Sequence, residues 1–512
     1  MVRHGIARVK TGCATCKARR VKCDEGRPSC SRCFSAGRKC DGYSSPPSRT
    51  YSWAQPIRSR PQLMSTAATP NVDGSAAAGR AMRFYCSVAA PALTGSLSET
   101  FWTTLVVQVS NQEPVAGHAV LALASLYETF AKGVRKSAPF AVWHYNKAIR
   151  LLRSTRDPAL VLFVCVLFIC IELLRNNPQD AIAHCRHGIN ILNEIQIESD
   201  FLRYHVVPAM HQLSLAPYYF DTDPKTFPTI NRPPPSAGPR LVSLAEAHIR
   251  HIPLQTRTAR FLRVGEERRL AAGHEGPEPD RVWTRKFILL DLDSWHTAFQ
   301  DLKTSHQPDS KEHALLCLLE IRHIVNRTSL LLSHSKSEKE YDAYFDAYRA
   351  VVDLTARATS SSCDGGSPRS TPLHTHESAI ELGFSPLLYF VVAKCRYLSV
   401  RIAALRLMER LAQPRDNVWV KPVTAAAARR IIEVEHQISL DDFETGDWID
   451  DGERPPEERR VVSVDFRCAG DIKCGGSLRQ VRFFSRDPGS GKIIARDEWL
   501  NLEDQSRGVF LT

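Results

Sequence analysis

The chain has 512 residues, 43% of them hydrophobic and 24% charged, the balance of a globular protein long enough for two or three domains. Its formal net charge is +12, yet residues 1–60 hold 14 Lys and Arg against 3 Asp and Glu, so almost all of the excess sits at the N-terminal end of a near-neutral body. That distribution excludes a chain that coats a polyanion along its whole length and points to one local basic module. Residues 1–8 have no apolar core, so no secretory signal is expected. The longest apolar run, residues 159–171, is too short to span a bilayer and reads as a buried helix, so no membrane partner is expected.

After a basic arm (residues 1–12), six cysteines follow in the pattern Cys13-x2-Cys16-x6-Cys23-x6-Cys30-x2-Cys33-x6-Cys40. These are two copies of C-x2-C-x6-C. Twenty-eight residues cannot build an apolar core and need a staple to fold. Thiolates suit tetrahedral zinc, and metal explains six clustered thiols better than disulfides do; a disulfide knot, with 15 pairings, and a purely structural zinc knot are the competing readings. Two separate four-sulfur sites would need eight cysteines. If two zinc ions bind, two cysteines must bridge, and the first of each triplet, Cys13 and Cys30, occupy equivalent places. The expected sets are Cys13, Cys16, Cys23 and Cys30, and Cys13, Cys30, Cys33 and Cys40.

Between the second and third cysteines lies Lys17-Ala18-Arg19-Arg20-Val21-Lys22. The spacing predicts a short helix here, with Lys17 and Arg20, and Arg19 and Lys22, three apart on its exposed side. Such a helix fits a DNA major groove, where Arg pairs bidentately with guanine. The same run also has the character of a nuclear import signal.

The residues Gly12-Cys13-x2-Cys16-Lys17-x-Arg19-Arg20-Val21-Lys22-Cys23-Asp24-Glu25-x2-Pro28-x-Cys30 closely resemble the fungal binuclear zinc cluster (Zn2Cys6) transcription factors. The resemblance implies two structural zinc ions with Cys13 and Cys30 bridging. It also implies major-groove reading of CGG-like triplets, with Arg19 and Arg20 at base-reading positions and Lys17 and Lys22 nearby. Residues 84–127 and 386–396 resemble the all-helical fungal-specific regulatory domain that often follows this module. Many members carry a dimerising coiled coil after the cluster. The stretch that follows here has five prolines and no heptad repeat, which leaves a homodimer open.

The expected layout is a zinc-cluster DNA-binding domain at 1–43, a flexible linker at 44–80, a helical regulatory domain at 81–438, and an acidic segment with a short β-rich tail at 439–512. The fold class is thus a small zinc-stapled module plus a large all-α domain, with short strands near the C-terminus. Helical periodicity covers 116–131, 138–153, 158–175, 180–196, 311–333, 337–357, 377–411 and 422–438. The motif His144-x4-Ile149-x2-Leu152 returns 40 residues later as His184-x4-Ile189-x2-Leu192, with Ala148 answered by Gly188, which hints at stacked helical hairpins. Residues 221–240 and 360–372 read as loops. Residues 435–458 hold ten acids interleaved with Leu440, Phe443, Trp448 and Ile449, and read either as an activation segment or as a solvated loop. Alternating runs at 461–466 and 481–484 predict strands, with a turn at 487–491.

Other constellations carry less. His184 and His187 lack a third ligand at fitting spacing. The run Gly489-Ser490-Gly491-Lys492 is followed by Ile493 and not by Ser or Thr, as a phosphate loop requires. Cys468 and Cys474 stand unsupported. No nucleophile, base or cofactor motif stands out, so an enzyme is not expected. The reading is a nuclear, sequence-specific transcription factor of the RNA polymerase II type, whose partners are double-stranded DNA and the transcription machinery or co-regulators. A zinc-stapled protein-interaction adaptor without base readout is the alternative.

Overall fold

The computed structural model describes residues 13–19, 21–24, 26, 29–42, 75–94, 100–132, 139–196, 199–219, 223–231, 240–270, 279–306, 308, 310–360, 383–411, 422–442, 451–466 and 478–502. Two compact units result, residues 1–60 and 61–512.

Among its described residues the smaller unit has two short helices, α1 (Ala14–Ala18) and α2 (Ser31–Phe34). Its buried set is the cysteines themselves, and the one aromatic side chain on these helices, Phe34, is exposed. Sulfur therefore takes the place of a hydrophobic core, as a unit of this size requires.

The larger unit begins with α3 (Ala76–Phe84), which runs through a π-helical turn at Tyr85–Ala89 into α4 (Ala90–Thr94). This start lies inside the stretch 44–80 that the sequence reads as a linker. Ser75 caps the Ala78 N–H, the alanines favour helix, and Ala78 and Met82 are buried. A second π-helical turn at Phe101–Leu105 leads into α5 (Val106–Gln112). Then come two helical hairpins, α6 (Pro114–Ala131) with α7 (Pro139–Leu152), and α8 (Pro158–Leu174) with α9 (Pro178–Glu194), followed by α10 (Val207–Leu213). Proline at a first helical position costs no hydrogen bond and sets the starts of α6, α8 and α9.

Helix α8 contains the long apolar run, and every residue from Leu162 to Leu173 is buried. It packs on α6 and α9. The repeat at a spacing of 40 therefore marks the second helix of each hairpin. Gly188 on α9 has a packing reason: a Cβ there would sit 2.7 Å from the Met210 Cε atom and 3.7 Å from Cys165 Cβ. Among the described residues no helix is long and apolar enough to cross a membrane.

Two helices of 27 residues, α11 (Leu244–Leu270) and α12 (Pro279–Ser305), occupy stretches outside the predicted helical periods. Helix α11 carries Pro253 in its interior and is rich in arginine; α12 is apolar on two faces. Both features blur a single 3.6-residue stripe. Then come α13 (Ser310–Leu331), a 3-10 turn at Glu338–Tyr344, α14 (Phe345–Ser360), α15 (Ser385–Lys394), α16 (Leu398–Leu411) and α17 (Pro422–His436). The predicted helix over 377–411 is thus broken between α15 and α16, where the guanidinium of Arg396 turns fully inward.

Three strands close the described chain: β1 (Val461–Asp465), β2 (Leu478–Arg486) and β3 (Ile493–Asn501), antiparallel in the order β1-β2-β3. Residues 487–491 form the turn between β2 and β3, where Asp487 accepts from the Ser490 N–H at 2.7 Å and Gly491 adopts φ +66°. Val461, Val481, Phe483 and Leu500 pack on Val423, Ala427 and Ile431 of α17, so the sheet is part of the larger unit.

A buried ionic network joins these parts. Glu435, Arg396 and Arg401 are fully buried; Arg401 lies 2.8 Å and Arg396 3.2 Å from Glu435 Oε2, and the Val461 N–H donates to Oε1 at 2.6 Å. Glu338 receives Lys394 at 3.0 Å and Arg396 at 3.3 Å, and Arg460 grips Asp342 through two bonds of 2.8 Å. The flanks of the acidic stretch are held here. Asp451 accepts from the N–H and hydroxyl of Ser399, and Glu457 accepts from Ser337, Glu338 and Lys339. Phe443, Trp448 and Ile449 lie outside the described residues, as do Cys468 and Cys474.

Candidate metal centre and nucleic-acid interface

Each C-x2-C pair opens a helix in the same way. Cys13 caps α1 with extended backbone, and its Sγ accepts the Cys16 N–H at 3.3 Å; Cys30 caps α2, and its Sγ accepts the Cys33 N–H at 3.3 Å. The turn after each helix closes with the same bond, Val21 N–H to Cys16 C=O at 3.1 Å and Arg38 N–H to Cys33 C=O at 3.0 Å. Equivalent residues are 17 apart throughout the two copies. In the second, Gly37 supplies the left-handed backbone (φ +63°) that such a turn uses.

This brings the sulfurs together. The Sγ atoms of Cys13, Cys16, Cys23 and Cys30 lie within 4.8 Å of one another, and so do those of Cys13, Cys30, Cys33 and Cys40. Individual separations are 3.6 Å for Cys13–Cys30, 3.7 Å for Cys13–Cys33 and for Cys16–Cys30, and 3.8 Å for Cys16–Cys33. Four sulfurs at 2.3 Å from a tetrahedral zinc are about 3.8 Å apart along each edge. A disulfide needs about 2.05 Å, and all six cysteines are free. The Cys16–Cys33 approach runs across the two sets and shows how tightly the paired helix starts are pressed together.

Cys13, Cys16, Cys30 and Cys33 are fully inaccessible and Cys23 nearly so. Burial pushes the Cys13 thiol up to about 12 and raises those of Cys16 and Cys30, whereas backbone N–H donors lower that of Cys40. So many close sulfurs ionise only with a cation among them, which is what a zinc ion supplies. The arrangement fits two zinc ions.

Residues outside the cysteine pattern hold the halves together. Asp24 accepts from the Ser31 N–H at 2.9 Å and the Arg32 N–H at 3.1 Å, and these donors hold its carboxyl down to about 2. Thr15 donates to Asp41 at 2.8 Å and accepts the Asp41 N–H at 2.9 Å, while the Ala14 N–H bonds Gly42 C=O at 2.9 Å, clasping the ends of the module. Spacing alone does not reveal these bonds, because each partner lies across the cluster.

Lys17, Arg19 and Lys22 are exposed. The helix is shorter than expected: α1 stops at Ala18, Arg19 caps it, and Lys22 stands beyond its end. The turn that carries Cys23 back to the sulfurs consumes the residues that would have extended it. Arg20 lies outside the described residues.

The other candidates do not assemble sites. The Tyr145 hydroxyl and His184 Nε2 are 3.1 Å apart, and the His184 ring packs on Phe168, while His187 is exposed. Among the described residues the only groups with metal-ligand geometry are the two cysteine sets.

Residues 11–50 match the fungal Zn(2)-Cys(6) binuclear cluster domain. The aspercryptin biosynthesis cluster-specific transcription regulator atnN of Emericella nidulans is 29% identical over 39% of this chain and 37% of its own length. The transcription regulator lscL of Purpureocillium lilacinum is 29% identical over 38% of this chain and 52% of its own. The transcriptional regulatory protein moc3 of Schizosaccharomyces pombe is 56% identical over 36 residues, 7% of each chain. The chain thus spans about half or less of the length of these relatives, and no solved structure matches it. With its two overlapping sulfur sets and these relatives, the chain carries a fungal Zn(2)-Cys(6) binuclear cluster domain at residues 11–50 and is a homologue of fungal transcription regulators.

Proposed function

We propose that the chain is a nuclear, sequence-specific DNA-binding transcription factor acting on genes read by RNA polymerase II. The observation that carries this reading is the pair of overlapping four-sulfur sets beneath an exposed basic rim. Cys13 and Cys30 belong to both sets and bridge two zinc ions; Cys16 and Cys23 complete one, Cys33 and Cys40 the other. Each ion is closed by four protein sulfurs, so the metal is structural and the chain works by binding, not catalysis. Lys17, Arg19, Arg20 and Lys22 contact DNA, with Arg19 and Arg20 reading a CGG-like triplet in the major groove and the lysines on phosphates. Residues 1–43 form the reading head and 44–80 the tether, of which 75–80 already belong to the next unit. The helical body to residue 438 and the tail from 439 face co-regulators or the transcription machinery.

The test compares a CGG-containing duplex with a scrambled one across a salt series. Binding weakens steeply with salt, and Lys17→Ala lowers the log–log slope by about 1. Arg20→Ala removes roughly 1–3 kcal/mol of preference for the CGG duplex and leaves scrambled binding less affected. Equal affinity of the wild-type chain for both duplexes would sink base readout.

A further inference from the structure

Between Glu128 and Asp157 the chain holds seven Lys and Arg and no acid, a run of one sign inside a body that is otherwise near neutral. Helix α7 gathers part of this run on one face. Trp143, Lys147 and Arg150 follow at spacings of four and three. Arg153 stands just beyond the helix, but its N–H still bonds the Ile149 C=O at 3.3 Å and keeps the helical course. Arg150, Arg153 and the following Arg156 are exposed; Lys147 is half-buried, with its ammonium 5.7 Å over the ring of the exposed Trp143. The opposite face, Ala141, His144, Tyr145 and Ala148, is buried.

Among the described residues none of Lys147, Arg150, Arg153 and Arg156 meets a carboxylate. On α11, α13 and β2, by contrast, exposed arginines are matched: Arg257 with Asp291, Arg327 with Asp293, and Arg482 with Asp497. Like charges three and four residues apart repel, so nothing in the folding of α7 calls for this row.

We infer that the outer face of α7 is a second DNA contact, which lies on phosphates beside the site taken by the cysteine cluster; it rests on the reading of that cluster as a DNA-binding head. Three features favour a duplex backbone as the occupant. From Lys147 to Arg153 the helix rises about 9 Å, over which one DNA strand presents roughly three phosphates. The apolar side chains of the face, Val142 and Trp143, stand at its N-terminal end and not at its centre, where a protein partner would need its anchor. The chain's own acidic stretch is engaged elsewhere, since Asp441 is held by Arg429 of α17 and Asp451 by Ser399 of α16. A few phosphate contacts are weak alone, but covalent linkage to a bound head raises the local concentration of the body to the order of millimolar. The contact carries no sequence information and adds affinity and salt dependence.

The test uses the full zinc-loaded chain with a CGG-containing duplex of about one helical turn, another of about three turns, and a scrambled duplex of the longer length. Lys147→Gln, Arg150→Gln and Arg153→Gln are introduced together; they lie on a surface face and keep the far-ultraviolet circular dichroism of the wild type. On both long duplexes they raise the dissociation constant roughly tenfold or more at low salt and lower the log–log salt slope by about 2–3. On the short duplex they change neither, and the preference for CGG stays as in the wild type. An unchanged slope on the long duplexes overturns the proposal. So does an equal loss on the short one, which would trace the effect to the head. Binding of polyglutamate that depends on these three residues, with DNA binding unchanged, assigns the face to an acidic protein instead. A wild type without CGG preference removes base reading only: a slope that still falls in the triple variant leaves this contact standing.

Discussion

Replacing Glu435 with Gln tests the ionic network that ties the helical body to the terminal strands. Glu435 is fully buried between two fully buried arginines, Arg401 at 2.8 Å and Arg396 at 3.2 Å. Its second oxygen accepts the Val461 N–H that starts β1. Gln keeps the shape and can still accept from Val461, but its NH2 then stands where Oε2 faced the two guanidinium groups, so the change removes both the charge and their acceptor. Arg396 retains Glu338 at 3.3 Å, but Arg401 has no other carboxylate partner among the described residues. Arginine does not shed its proton, so the substitution leaves a buried cation uncompensated. Breaking such a pair costs about 3–5 kcal/mol, and the retained hydrogen bond places this case near 3. If the larger unit unfolds in one step, its unfolding entropy is about 0.95 kcal/mol/K, and the midpoint falls by roughly 3 °C. Urea unfolding followed by tryptophan fluorescence measures the same loss as a lower midpoint with an unchanged slope. A stability within about 0.5 kcal/mol of wild type would refute this account. Adding Arg401→Met to Glu435→Gln should recover part of the loss, because it removes the stranded charge.

Three further outcomes follow from the geometry. Burial holds His248 and His251 well below their ordinary pKa and His323 down to about 4. The unfolded chain then binds more protons than the folded one below pH 6.5, so stability is retained above that value and lost as the pH falls from about 6.5 towards 4. The slope is bounded at about 1.4 kcal/mol per pH unit per histidine, and melting curves at pH 7 and pH 5 show it as a drop for the larger unit. Cys30→Ala removes a sulfur from both sets and should leave the chain with less than one zinc by elemental analysis, whereas Cys40→Ala should retain about one; equal zinc in the two variants would contradict bridging. Asp24→Asn weakens its hold on the Ser31 and Arg32 N–H groups, and should speed zinc loss to a chelator while leaving the zinc count at saturation unchanged.

Much of the metal centre was legible because ligand spacing is a local code. A C-x2-C pair opening a helix directs both sulfurs to one side, and counting six ligands for two ions requires sharing. The extent of α1 was less legible, since it depends on where Cys23 must return: the chain turns at Arg19, and Lys22 leaves the helix. In the body, α6, α8 and α17 were readable from their proline starts and from dense apolar sequence, which in α8 is buried all round. Helix α12 was not, because its apolar residues serve an inner face and an outer one.

The sequence by itself determined the donor set and the run of cations beside it, which rest on residues within a few turns of one another, and only hinted at the hairpins. Only the tertiary structure decided that Asp24 braces the second helix of the cluster and that Glu435, at the start of an acidic stretch that reads either as an activation segment or as a solvated loop, is sealed between Arg396 and Arg401. It also decided that three short strands belong to the helical body and not to a free tail. Whether a carboxylate faces water or an arginine depends on the packing of segments far apart in the chain, and composition over a short window carries no record of it.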